Sequence, residues 1–225
     1  MVQSNMKTGA VRAKIAIGLA LTLGAALLFV FVMPKSAGGP AQDALANLPW
    51  FAAMALSLWW ARTQEGLDWA RLGFVRPTVR SLLWGLAGGI ALIVLMGLCY
   101  GVLFPALGIA QGDPGQLQKI AALPVPLILL AALRAALTEE WLFRFYPIDA
   151  LERAGTGRWV AMLLPALVFI GLHAPQWGLA HLIPVAIAAV VLTALWAWKR
   201  NFWTSALAHF LADAVPFTLM ALRPH

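Results

Sequence analysis

Long apolar runs alternate with short polar segments along nearly the whole chain. Runs near 13–33, 45–61, 82–106, 120–142, 159–175, 178–198 and 202–222 hold few charges or none. A helix rises 1.5 Å per residue, so about 20 apolar residues cross a hydrocarbon core of about 30 Å. These runs predict an all-α polytopic transmembrane helical bundle of about seven spans. The period-2 alternation of outer-membrane barrel strands is absent. The polar segments carry the cations. With the N-terminus inside, Lys7, Arg12, Lys14, Arg62, Arg71, Arg76, Arg80, Arg144, Arg153, Arg158, Lys199 and Arg200 fall on the inner side. Only Lys35, Lys119 and Arg223 fall outside, while Arg134 lies within a span. Twelve against three predicts a multi-pass protein of the cytoplasmic (inner) membrane with a cytoplasmic N-terminus. The first run, Ile15 to Pro34, exceeds the roughly 7–15 apolar residues of a cleavable signal and reads as a retained span, although Ser36-Ala37-Gly38 leaves room for cleavage.

Composition agrees with the pattern. Of 225 residues, 62% are apolar and 11% charged, too apolar for a water-soluble domain of this length. The net charge of +7 comes from basic loops and acts toward the lipid bilayer, so no nucleic-acid partner is implied. Cys99 is the only cysteine, which excludes an internal disulfide. Tryptophans such as Trp50, Trp59, Trp159, Trp196 and Trp203 cluster near run ends, where indoles favour the interface. Gly85 and Gly89 form a small-xxx-small pair suited to close helix packing. The loop 62–81 mixes Trp69, Leu72, Phe74 and Val75 with arginines and is expected on the inner surface. The chain divides into an N-terminal transmembrane region, 1–117, and a core, 118–225, where the ionisable residues of the spans concentrate.

Those residues carry the chemistry. Glu139 and Glu140 follow the largely apolar stretch Leu123 to Leu137, where an ionised side chain costs about 2.5–3.5 kcal/mol on insertion scales. Glu140 and Arg144 are four apart, share a helix face and are expected to pair. Glu139 is rotated by about 100° and is expected to stay free for chemistry. Phe169 and His173 share a face, and Pro175 is expected to end their helix. His209 and Asp213 share another, with Asp213 positioned to accept the Nδ1 hydrogen. A hairpin turning near Gly155-Thr156-Gly157 sets Glu139 and His173 each 17 residues from Thr156, at one depth. Helix counting puts His209 nearer the inner face, so the link His173 to Trp177 would have to dip into the membrane.

Glu139-Glu140-x-x-x-Arg144, Phe169-x-x-x-His173 and His209-x-x-x-Asp213 resemble, in order and spacing, the CAAX prenyl protease and bacteriocin-processing family, also called the type II CAAX endopeptidase or Abi family. The resemblance covers roughly 118–222, with Leu72-Gly73-Phe74-Val75-Arg76-Pro77 similar to a lead-in segment of bacterial members. It implies an intramembrane endopeptidase acting on a membrane-associated peptide or a prenylated, CAAX-type protein. Glu139 would be the base on the attacking water, assisted by His173. His209 would stabilise the oxyanion, with Glu140, Arg144 and Phe169 as support. Two positions depart from the pattern: Phe145 where a small residue is frequent, and Asp213 where Asn is. A carboxylate donates a hydrogen bond only when protonated, so Asp213 is assigned to orienting His209. The family has also been described as metallopeptidases, and Glu139, His173, His209 and Asp213 offer nitrogen and oxygen donors to Zn²⁺. No His-Glu-x-x-His segment is present, which favours metal-independent glutamate catalysis without a cofactor. Two competing readings are a non-catalytic immunity or scaffold protein and a proton-coupled transporter using Glu139, Glu140 and Asp213. The absence of a visible inverted repeat weakens the transporter.

Overall fold

The computed structural model describes residues 2–32, 40–110, 118–120 and 122–223. Lys35, Ser36-Ala37-Gly38 and the division after residue 117 lie outside them. Helix α1 (Val2–Leu19) continues through a π-helical turn (Ala20–Gly24) into α2 (Ala25–Val32). Short α3 (Pro40–Leu45) precedes α4 (Leu48–Thr63). Helix α5 (Val79–Leu98) passes through a second π turn (Cys99–Leu103) into α6 (Phe104–Leu107). Helix α7 (Val125–Glu140) passes through a third (Trp141–Phe145) into α8 (Tyr146–Arg153). Then come α9 (Arg158–Trp177), α10 (Leu182–Lys199) and α11 (Phe202–Ala221). The protein is an all-helical integral membrane protein.

Among the described residues, five helical stretches are long and apolar enough to cross a membrane: Gly9–Phe31, Val79–Leu107, Arg158–Trp177, Leu182–Lys199 and Phe202–Ala221. The other two expected spans are helical as well, but differ in kind. Helix α4 has 16 residues, about 24 Å of rise, short of the hydrocarbon thickness. Helix α7 also has 16, carries Arg134, Glu139 and Glu140, and buries an alanine-rich face through Ala132, Ala135 and Ala136. Its buried residues concentrate toward the C-terminal end, while Leu129 and Leu133 are exposed.

Close backbone approach positions α11. A Cβ at Gly85 would lie 2.9 Å from the Thr204 carbonyl oxygen, and one at Gly89 would lie 2.8 Å from Leu211 Cβ. The small-xxx-small pair therefore seats α5 directly on α11, and Thr204 Oγ1 donates to the Ser81 carbonyl at 3.1 Å across the contact. Asn201 caps α11, its Oδ1 accepting from Thr204 N at 3.2 Å. The loop after α4 is not only a surface segment. Leu72 is buried, and Gly73 adopts φ 83° against the Phe145 ring, where a Cβ would come within 2.3 Å. Gly73 O then accepts from Phe202 N at 2.9 Å, and Phe74 stacks 4.5 Å from Phe202. Trp196 is also interior rather than interfacial, 1% exposed, with Arg200 lying 3.8 Å over its ring.

A polar network ties the end of α4 to α8. Arg153 donates to Glu65 at 2.6 Å and to Asp149 at 2.7 Å, and Tyr146 Oη donates to Glu65 at 2.5 Å. Burial and the Glu65 carboxylate push the Tyr146 hydroxyl upward, so it remains a donor. Trp141 Nε1 donates to Ser57 Oγ at 2.8 Å and fastens α4 to the turn after α7.

Gly89→Leu should destabilise the purified protein by about 1–3 kcal/mol through overpacking. Gly97→Ala, whose Cβ meets nothing within 4 Å, serves as the control. Thermal unfolding in detergent checks this: equal midpoints for the two variants would contradict the α5–α11 contact.

Candidate active site

The buried C-terminal end of α7 delivers two carboxylates to different surroundings. Glu140 is fully buried. Its Oε1 accepts from Arg144 Nη1 at 2.8 Å, the pairing expected from the spacing, and also lies 2.8 Å from His209 Nδ1. Arg144 sits 4.1 Å over the Phe169 ring, so one face of the guanidinium rests on the aromatic π cloud. The π turn that begins at Trp141 keeps Arg144 and its neighbours inside the bundle.

Glu139 faces a cavity of about 800 Å³, whose lining includes Arg134, His173, His209 and Asp213. It is not free, as the sequence suggested. Arg134 Nη1 donates to Glu139 Oε1 at 2.7 Å, an intrahelical ion pair that the four-residue rule does not anticipate. The other oxygen, Oε2, lies 3.9 Å from His209 Nε2. Asp213 Oδ2 lies 3.6 Å from the same nitrogen. The expected Asp213 contact with Nδ1 is therefore corrected. Glu140 occupies the Nδ1 side of the ring, because the side chain enters from α7 while Asp213 lies one turn further along α11. A carboxylate only accepts, so the Glu140 contact places a proton on Nδ1 and turns Nε2 toward Glu139 and Asp213.

His173 follows the same logic from the facing helix. Its Nδ1 lies 2.7 Å from the Phe169 carbonyl oxygen, which only accepts, so Nδ1 carries the proton and Nε2 is the atom left for the cavity. The rings of Phe169 and His173 are 4.6 Å apart, as their shared face predicts. Pro175 does not end the helix. α9 runs through it to Trp177, and Gly178 at φ 79° makes the break. A proline removes one intrahelical bond, and a packed membrane helix tolerates that loss. The dipping link is thus unnecessary, since His173 and His209 line one cavity with the helix intact.

The structure brings Glu139, Phe169, His173, His209 and Asp213 to one cavity, with Glu140 and Arg144 behind them. It adds residues that sequence reasoning passed over. Arg134 also donates through Nε to Asn47 Oδ1 at 3.3 Å and lies 5.1 Å over Trp50. A lone cation in an apolar run was the available signal. His181, between α9 and α10, stacks 4.6 Å from Trp177 and bonds Tyr100 Oη through Nδ1. Burial and the nearby His173 hold its imidazole down to about 4, so it stays neutral at ordinary pH. Among the described residues no group of three or more His, Cys, Asp or Glu side chains is arranged to hold a metal ion. The positive charge against Glu139 is supplied by Arg134.

Comparison with curated proteins gives no match, and comparison with solved structures gives none either. Residues 121–215 match the family model described as type II CAAX prenyl endopeptidase, Rce1-like. That segment holds Glu139, Glu140, Arg144, Phe169, His173, His209 and Asp213, and over it the chain is similar to the Rce1-like family of proteases.

Proposed function

We propose that this protein is an intramembrane endopeptidase that hydrolyses a peptide bond of a membrane-associated peptide or a prenylated, CAAX-type protein. The observation that carries this reading is one cavity lined by a carboxylate, Glu139, and two imidazoles whose Nδ1 positions are both engaged. Glu139 takes a proton from water, with His173 Nε2 as the second acceptor that orients it. The hydroxide attacks the peptide carbonyl carbon and the carbonyl oxygen becomes an oxyanion. His209 donates to it from Nε2, and in that step carries both ring protons, with Glu140 on the far side of the ring. Asp213 orients the Nε2 end. The proton taken by Glu139 passes to the leaving amine as the carbon–nitrogen bond breaks. The scheme is written without a metal, the reading that the lack of a His-Glu-x-x-His segment favours.

The catalytic core in this reading is 118–225, with 1–117 as supporting transmembrane region. The distribution of Lys and Arg supports a cytoplasmic membrane location with the N-terminus inside. A second reading draws on the Arg134–Glu139 ion pair: a non-catalytic immunity or scaffold protein that keeps the fold and uses the pair structurally.

Purified protein offered a membrane-tethered peptide library should cleave, and Glu139→Gln should lose roughly 10²–10⁴-fold in rate, the usual worth of a general base. Equal cleavage by both proteins removes the proposed base. Cleavage by neither, with the cellular phenotype intact in Glu139→Gln, supports the scaffold. The same assay with a chelator should show an unchanged rate, and loss restored by Zn²⁺ would overturn the metal-independent scheme.

A further inference from the structure

Arg134 stands in the apolar part of α7, five residues before Glu139. A guanidinium among apolar side chains persists where it has partners or a task. Its partners lie on one side. Nη1 meets Glu139 at 2.7 Å, Nε meets Asn47 at 3.3 Å, and the plane lies over Trp50. Nη2 makes no hydrogen bond with the described residues. The side chain is 19% exposed and lines the cavity, whereas Arg144 is 1% exposed and does not. The other guanidinium on the cavity wall, Arg223, lies beyond the end of α11.

We propose that Arg134 anchors the free carboxylate at the C-terminal end of a bound peptide, the end that departs after cleavage; this rests on the peptidase reading above. A guanidinium presents a fork of N–H donors that matches a carboxylate, and charge-assisted pairs of this kind are the strong ones. Of the two guanidiniums on the cavity wall, Arg134 is the one in contact with the reaction centre, through Glu139. Much of the remaining wall is apolar, including Leu92, Met96 and Leu192, and offers an anion nothing. The corner made by Arg134, Asn47 and Trp50 is therefore where the peptide's negative end settles. Its scissile carbonyl then lies toward Glu139 and His209. Docking engages Nη2 first and draws the guanidinium off Glu139 Oε1, opening that oxygen to water. The ion pair of the empty site and the anchor of the filled one are two uses of one side chain.

The test is binding of palmitoyl-tetraalanine as the free acid and as the C-terminal amide. It is followed by calorimetry with full-length His173→Ala protein in detergent, which retains Arg134 and Glu139. The acid should bind about tenfold or more tightly than the amide, as for loss of a charge-assisted pair. Arg134→Gln in that background should bring the two within about twofold, Arg134→Lys should keep part of the preference, and Arg223→Gln should keep it whole. Equal binding of acid and amide by the His173→Ala protein, no binding of either, or a preference untouched by Arg134→Gln overturns the anchor. Cleavage by the unsubstituted protein is scored separately, so the anchor and the peptidase reading fail independently.

Discussion

The interior of this protein is organised by one buried carboxylate. Glu140, 0% exposed, lies 2.8 Å from a guanidinium nitrogen on its own helix and 2.8 Å from an imidazole nitrogen on another. In a low-dielectric interior neither the acid nor Arg144 is tolerable alone, and removing one partner of such a pair costs about 3–5 kcal/mol. The bridge to His209 fixes the rotation of that ring. Its Nε2 then has one direction to point, toward Glu139 and Asp213. The arrangement at the cavity wall is thus a consequence of an ion pair behind it.

Helix packing delivers the partners to that bridge. Glycines on α5 admit α11 to backbone contact, and the Gly73 carbonyl receives the first amide of α11. Both fix where His209 starts. From the other side, the Phe169 ring supports Arg144 with its face and stands 4.6 Å from the His173 ring. One aromatic side chain therefore touches both the ion pair and an imidazole of the cavity, which explains why a phenylalanine belongs to the polar constellation.

Much of this was legible in the sequence. Four-residue spacing identified the Glu140–Arg144 pair and the Phe169–His173 face, since both depend only on helical geometry. The glycine pair in α5 was equally plain. What the spacing could not give was which side of a ring a partner from another helix would take. Asp213 was the local candidate for His209 Nδ1, and a residue 69 positions away holds it instead. Arg134 was missed as a partner of Glu139 because an i, i+5 contact falls outside the usual rule and is reached by a long flexible side chain. Helices α4 and α7, 16 residues each, fall short of the spanning length that their apolar runs suggested. Pro175 misled because α9 continues through it and breaks only at Gly178.

The central claim is that Glu140 acts on the reaction only through the ring of His209. A double-mutant cycle on kcat/KM, with Glu140→Gln and His209→Ala made singly and together, tests it most directly. The account predicts strong coupling: once His209 is alanine, the further loss on changing Glu140 is small beside its loss alone. Two losses that simply multiply would contradict the account.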